Sequence, residues 1–263
     1  MAPVLTSLSP TQSHSGVSLT LTGTGLTGTT KVTFGSKSVV PTSVTATSVA
    51  CVIPPTCAGQ TPVTVTTAGV VSNSLSFFYI GPPSCGPVDP TTGPAAASTV
   101  TIYGSGLLTA TGVTFGAAGA GTGLTVVSDN QLSVTTPVHG TFTGSTDTVN
   151  VTITTAGGGS VPAGATSQYT FYDAPTVTAV VPGTGLAGST ITITGTNLVD
   201  VTGVTFTPVG GGTAVEALDF TSISGTQARA TVPVLVAGTY DVQAITPGGT
   251  SAVNSPADQF TVV

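Results

Sequence analysis

The chain has 263 residues, of which 5% are charged, with a net charge of −6 and a sequence pI near 4.2. Its only basic residues are Lys31, Lys37 and Arg229. That excludes nucleic acid as a partner, because phosphates are neutralised by clustered Lys and Arg, and it disfavours an anionic membrane surface.

An ordinary soluble domain carries roughly 25% charged residues, so this surface must be made wet by Thr, Ser, Asn, Gln and Gly. Thr is β-branched and favours strands. The helix formers Glu, Lys and Arg are scarce, which predicts an all-β chain with almost no helix. No apolar run approaches the roughly 20 residues of a membrane-spanning helix. Met1 and Ala2 lead straight into the first repeat residue, Pro3, with no visible signal peptide.

Unit one is read as residues 1–81. Pro3 and Pro10 open it, seven positions apart. A turn at Pro10–Gly16 (PTQSHSG) precedes the strand Val17–Thr22, and a Gly-rich turn leads to Lys31–Phe34. The segment VACVIP at 49–54 ends in Pro, VTVTTAG at 63–69 ends in a Gly turn, and Leu75–Ile80 closes the unit. Gly81-Pro82-Pro83 leads directly into unit two, residues 82–173.

Unit two repeats the plan, with Pro83 and Pro90, LSVTTP at 132–137 and VTITTAG at 151–157. It adds two small-residue insertions, Ala117–Gly123 and Gly157–Gly164, which read as lengthened loops. Asp173-Ala174-Pro175 leads into unit three, residues 174–263, which has Pro175 and Pro182, ARATVP at 228–233 and a loop at Thr207–Thr213. The linkers are short and bear Pro, which predicts a stiff rod of three units in line.

The most regular part of the repeat is an alternating strand, a turn Gly (Gly23, Gly104, Gly195), a Leu three on (Leu26, Leu107, Leu198) and a second strand reaching Phe (Phe34, Phe115, Phe206). Gly and Phe are eleven positions apart in all three copies, and a fixed internal period is the mark of a repeat architecture. Together with the P-x₆-P opening and the Gly turn before the last strand, this set resembles the IPT/TIG family of immunoglobulin-like domains, three tandem copies covering essentially the whole chain. The resemblance implies three β-sandwiches. Such domains serve as spacers, adhesion units and docking modules, so fold alone does not name an activity.

Of the three cysteines, Cys51 takes the place of Val134 and Ala230 and alternates inward with Val49 and Ile53, so it is expected as a buried free thiol. In an immunoglobulin-like sandwich the loop holding Cys57 lies at the end of unit one where unit two begins. A Cys57–Cys85 disulfide locking the first joint is therefore expected, and with it an oxidising compartment. In the closing strands Phe77, Tyr169 and Phe260 align inward, as do Tyr79, Phe171 and Val262. Phe78 faces outward where its siblings are Thr170 and Thr261. It is a candidate partner contact, or else packs on unit two or a neighbouring loop.

No catalytic residue, cofactor site or metal site is nominated. G-T-G-L-T-G at 23–28 and G-T-G-L-A-G at 183–188 match a dinucleotide fingerprint, but strands follow where a helix is needed. His14 and His139 lie in turns of different units and read as solvated. Asn197 and Asp200 share a turn, yet two oxygens are too few for calcium. Asn150-Val151-Thr152 is a glycosylation sequon inside a predicted strand.

The expected function is non-enzymatic: a structural or docking protein of an extracellular assembly. A virion component such as a phage capsid decoration or tail protein comes first, with capsid or tail subunits, or copies of itself, as partners. Open strand edges with few guarding charges suit such docking. The alternatives are a bacterial cell-surface or secreted adhesion protein contacting cell-surface molecules, and a carbohydrate-binding accessory module of a secreted hydrolase.

Overall fold

Alternation along each strand sorts side chains to two faces. In Ser18–Thr24 the residues Leu19, Leu21 and Gly23 point inward and are buried, while Ser18, Thr20, Thr22 and Thr24 are exposed. A computed structural model describes residues 2–263 and contains no α-helix among them, only two short 3₁₀ turns at Gly116–Ala118 and Gly164–Ser167.

The strands form three pairs of sheets with one topology repeated. In unit one, the first sheet runs in the order Val4–Ser9, Ser18–Thr24, Ser48–Val52, Ser43–Val44. The facing sheet runs Gln12–Ser13, Leu75–Tyr79, Gly59–Thr67, Thr29–Phe34, Lys37–Val39. A hairpin returns Val70–Val71 onto Gly59–Thr67. The opening segment thus crosses from one sheet to the other, because Gln12–Ser13 pairs in parallel with Leu75–Tyr79 while Val4–Ser9 pairs antiparallel with Ser18–Thr24.

Each sandwich has its own core. Leu19, Leu21, Val49 and Cys51 from one sheet of unit one meet Val32, Phe34, Val63, Val65 and Phe77 from the other. The repeated Phe makes the same edge-on contact in every unit. Phe34 and Phe77 stand 6.0 Å apart, Phe115 and Tyr169 5.7 Å, and Phe206 and Phe260 6.1 Å, a geometry that aligns ring edge with ring face. The inward assignments of Tyr79, Phe171 and Val262 also hold.

The turn Gly of the repeat is needed for close approach. A Cβ on Gly23, Gly104 or Gly195 would stand 2.0, 2.2 or 1.8 Å from the carbonyl oxygen of Val4, Ser84 or Thr176. The Leu three positions on is fully buried in all three units.

The insertions of unit two do more than lengthen loops. Within the first, Gly119–Ala120 pairs with Gly112–Phe115 and the chain then enters the long edge strand Thr122–Ser128 of the other sheet. Within the second, Gly158–Gly159 pairs with Thr146–Thr155, and Val161 forms a bridge with Ser84.

The outward faces carry hydroxyls that pair across strands. Thr148 meets Thr170 at 2.8 Å, Thr176 meets Thr196 at 2.8 Å, and Ser84 meets Ser105 at 2.9 Å. Lys31, Lys37 and Arg229 are exposed.

Candidate functional site

The three units meet at two joints. At the first, the linker Gly81-Pro82-Pro83 passes under the hairpin turn that follows Thr146–Thr155. Gly157, at the tip of that turn, is buried, and a Cβ on it would stand 1.8 Å from the Gly81 carbonyl oxygen. The next residue, Gly158, lies beside the His14 ring of unit one, with Nδ1 3.4 Å from the place of a Cβ. Beside this contact runs a groove of about 360 Å³ lined by Ala58, Phe78, Ile80, Pro82, Leu108 and Asp129, among others. The Asp129 carboxylate accepts from the backbone N–H groups of Leu108 at 3.3 Å and Gly106 at 3.4 Å, holding the turn that forms the groove's far wall.

Phe78 is 51% exposed in this groove. It faces outward as alternation predicts. Its backbone is fixed on both sides, by Gln60 antiparallel and Gln12 parallel.

The second joint reuses the plan with polar groups. Gly248, equivalent to Gly157, is buried, and a Cβ on it would stand 2.2 Å from the Asp173 carbonyl oxygen. The Tyr172 hydroxyl donates to Asp200 Oδ2 at 2.5 Å. The Asn197 amide donates to Asp173 Oδ2 at 3.0 Å and to the Ala174 carbonyl at 2.9 Å. Burial, together with the hydrogen bond to Asp200 and its negative charge, pushes the Tyr172 hydroxyl up to about 12. Asn197 and Asp200 both adopt left-handed backbone conformations, at φ 55° and 51°, a region that Asn and Asp tolerate better than most residues. Their polar groups are committed to the joint. Among the described residues, no group of three or more His, Cys, Asp or Glu is placed to hold a metal ion.

Two expectations are corrected. The Cys57–Cys85 bridge is not formed, and all three cysteines are free. Cys57 is exposed, but Cys85 points into the core of unit two. An irregularity between Cys85 and Val88 lets both face inward despite their odd spacing. Burial pushes the thiols of Cys51 and Cys85 up to about 11. Cys51 lies buried in the core of unit one.

His139 is not a solvated turn residue. Its side chain is only 7% exposed, and its Nε2 lies 2.8 Å from Asp147 Oδ2. Its ring rests between Phe142, at 4.3 Å, and Phe171, at 4.9 Å. Its Nδ1 is buried with no hydrogen-bond partner among the described residues. The signal was the length of the loop from Pro137 to Ser145, which holds the extra aromatic Phe142. His14 is half-buried at the first joint.

Comparison with known proteins agrees with the repeat. The IPT/TIG domain matches at residues 3–79, 83–171 and 175–262. Among solved structures, one determined with a xylogluco-oligosaccharide is 18% identical, with a TM-score of 0.44 over 99% of this chain and 60% of the other. A surface glycan-binding protein from the Bacteroides ovatus mixed-linkage glucan utilization locus is 20% identical, with a TM-score of 0.31 over 96% of this chain and 65% of the other. The I9–I11 tandem of titin is 11% identical, with a TM-score of 0.32 over 100% of this chain and 96% of the other. This chain therefore spans less than two thirds of the first two. No curated protein sequence matches it. The repeated topology, the spaced Gly, Leu and Phe, and three domain matches across nearly all residues lead to one assignment: the chain belongs to the IPT/TIG domain family, as three tandem immunoglobulin-like sandwiches.

Proposed function

We propose that this chain is a non-enzymatic spacer and adhesion protein of a cell surface or secreted assembly, holding binding surfaces at a fixed separation. The observation that carries this reading is the construction of the two joints. In each, a buried glycine of the following unit sits against a linker carbonyl, at Gly157 on Gly81 and Gly248 on Asp173. Interfaces between domains usually leave room for relative motion. A linker trapped under the next unit's hairpin resists it, and a spacer needs that resistance.

The surface supports the same reading. It is wetted by paired hydroxyls rather than ions, and its three basic residues offer no patch for polyanions. The carbohydrate-binding alternative wants aromatic platforms. Phe78 and Tyr103 are the exposed aromatic side chains, and they stand on different units, while the other four tyrosines are buried. The virion reading draws on the same features as the cell-surface one and has no separate support from the fold.

Small-angle X-ray scattering on the whole chain tests the spacer reading. A single conformation, with a maximum dimension unchanged between about 0.05 and 1 M salt, is expected. A broad ensemble of inter-unit angles would overturn it. Binding of fluorescent chain to bacterial or animal cells, set beside co-sedimentation with phage particles, separates the two locations.

A further inference from the structure

At both joints the receiving unit offers the same two elements. One is the hairpin turn, Thr155–Gly158 or Thr246–Gly249. The other is the loop after the repeat Gly, which holds Gly106 or Asn197. Unit one has both elements, and among the described residues no preceding sandwich is seated on them, only Ala2 lying against the loop. Its turn Thr67–Val70 and loop Gly25–Thr27, together with Ala2, line a groove of about 470 Å³. Gly69 takes the place of the buried Gly157 and Gly248, yet it is exposed, and a Cβ there would meet nothing within 4 Å.

The residue after this glycine changes character. Where units two and three have Gly158 and Gly249, unit one has Val70, which is 48% exposed and followed by the exposed Val71. At the first joint Gly158 faces His14 of the preceding unit. The residue of unit three equivalent to His14 is Leu186. His14 and Leu186 each lie four positions after the opening Pro10 or Pro182. They also sit alike against the closing strand. The Ile80 N–H donates to the Ser13 carbonyl at 2.9 Å, and the Val263 N–H donates to the Gly185 carbonyl at 3.2 Å. Leu186 is 63% exposed. The imidazole and glycine that meet inside the chain are thus replaced, at its two outer poles, by two aliphatic side chains.

We infer that the chain associates head to tail with a second copy of itself. The pole of unit three that bears Leu186 seats on the pole of unit one that bears Val70, repeating the internal joint without a linker. The occupant is argued from the chain's own two joints, where this pole receives the closing end of another sandwich of the same family. Exposed aliphatic residues on both poles supply the apolar contact that water would drive together. The contact is small for a protein interface, so the expected dissociation constant is weak, about 0.1–1 mM. Because the two faces differ, the interaction does not close on itself and gives open chains. Copies held side by side on a surface would meet at far higher effective concentration.

Sedimentation equilibrium on the full chain, in reductant to silence Cys57, tests this between roughly 10 µM and 1 mM. The weight-average mass is expected to rise about twofold or more across that range. Val70→Asp and Leu186→Asp should each abolish the rise while leaving the thermal unfolding profile unchanged. An equimolar mixture of the two variants keeps one good pole on each partner, so it should recover association but stop at dimers. A monomer throughout the range would overturn the proposal and leave the pole to a different occupant, such as a covalently preceding unit. A rise that persists in both variants would overturn it too, by placing self-association on another surface.

Discussion

The Tyr172 hydroxyl and the Asp200 carboxylate meet across the second joint at 2.5 Å, where the first joint has Ile80 and Thr109 in the equivalent places. The two joints therefore share a backbone plan and differ in what secures it. One is closed mainly by apolar contact, the other by a hydrogen bond to a charged acceptor.

This difference makes the second joint sensitive to alkali. The Tyr172 hydroxyl is raised from 10.0 to about 12, so its protonated form is the one favoured in the fold. The stabilisation is complete below pH 10 and is lost as pH climbs toward 12. Tyr172→Phe should cost roughly 1 kcal/mol at neutral pH. It should also flatten the fall in thermal stability across that alkaline window. Thermal unfolding of both proteins at a series of pH values checks this, and identical slopes would refute it.

The joints should be more vulnerable to substitution than hairpin turns facing water. Gly157→Ala and Gly248→Ala each place a methyl group inside contact distance of a linker carbonyl, at 1.8 and 2.2 Å. Backbone on both sides leaves little room to yield, so each variant should loosen its joint at a cost of about 1–3 kcal/mol. Scattering curves should show wider inter-unit motion while the sandwiches stay folded. Gly159→Ala, where a Cβ meets nothing within 4 Å, should change neither measurement.

Thiol chemistry distinguishes a bridged joint from an open one. With Cys57 exposed and Cys51 and Cys85 buried and raised to about 11, one thiol should react quickly with a disulfide reagent at pH near 8. The other two should react only after unfolding. Recovery of a single thiol from fully unfolded, unreduced protein would restore the Cys57–Cys85 bridge.

His139 is expected to matter to unit two as a packing residue. Removing the ring from between Phe142 and Phe171 with His139→Ala should cost roughly 2 kcal/mol. Asp147→Ala should cost less, because that carboxylate is half-exposed and its pairing is screened by water. Chemical denaturation resolves the two, and a neutral His139→Ala would return the residue to the solvent-facing turn that its sequence position suggests.

Much of the fold could be read from the chain because three copies corroborate one another. Gly23, Leu26 and Phe34 alone would be weak evidence, whereas their recurrence at 104, 107 and 115 and again at 195, 198 and 206 is not. Features without a counterpart in the other units were harder to read. The loop holding His139 and Phe142 is longer than its equivalents, so no sibling showed that it folds back on the core. Cys85 does have counterparts, Leu5 and Val177, both buried in their own cores, and the register irregularity that follows it in all three opening strands hides the alternation that would reveal it. The joint glycines were visible but mute. Gly69, Gly157 and Gly248 occupy the same place in the repeat, yet only the last two are covered, and nothing local in sequence separates a hairpin tip in water from one pressed on a neighbour.

The cross-strand hydroxyl pairs carry a consequence for where such a molecule can operate. A protein kept in solution by ions feels every change in brine, because its attractions and repulsions are screened. Thr148 with Thr170, Thr176 with Thr196 and Ser84 with Ser105 do the same wetting with neutral alcohols, which salt leaves nearly untouched. Its shape and its grip should pass from fresh water to sea water almost unaltered.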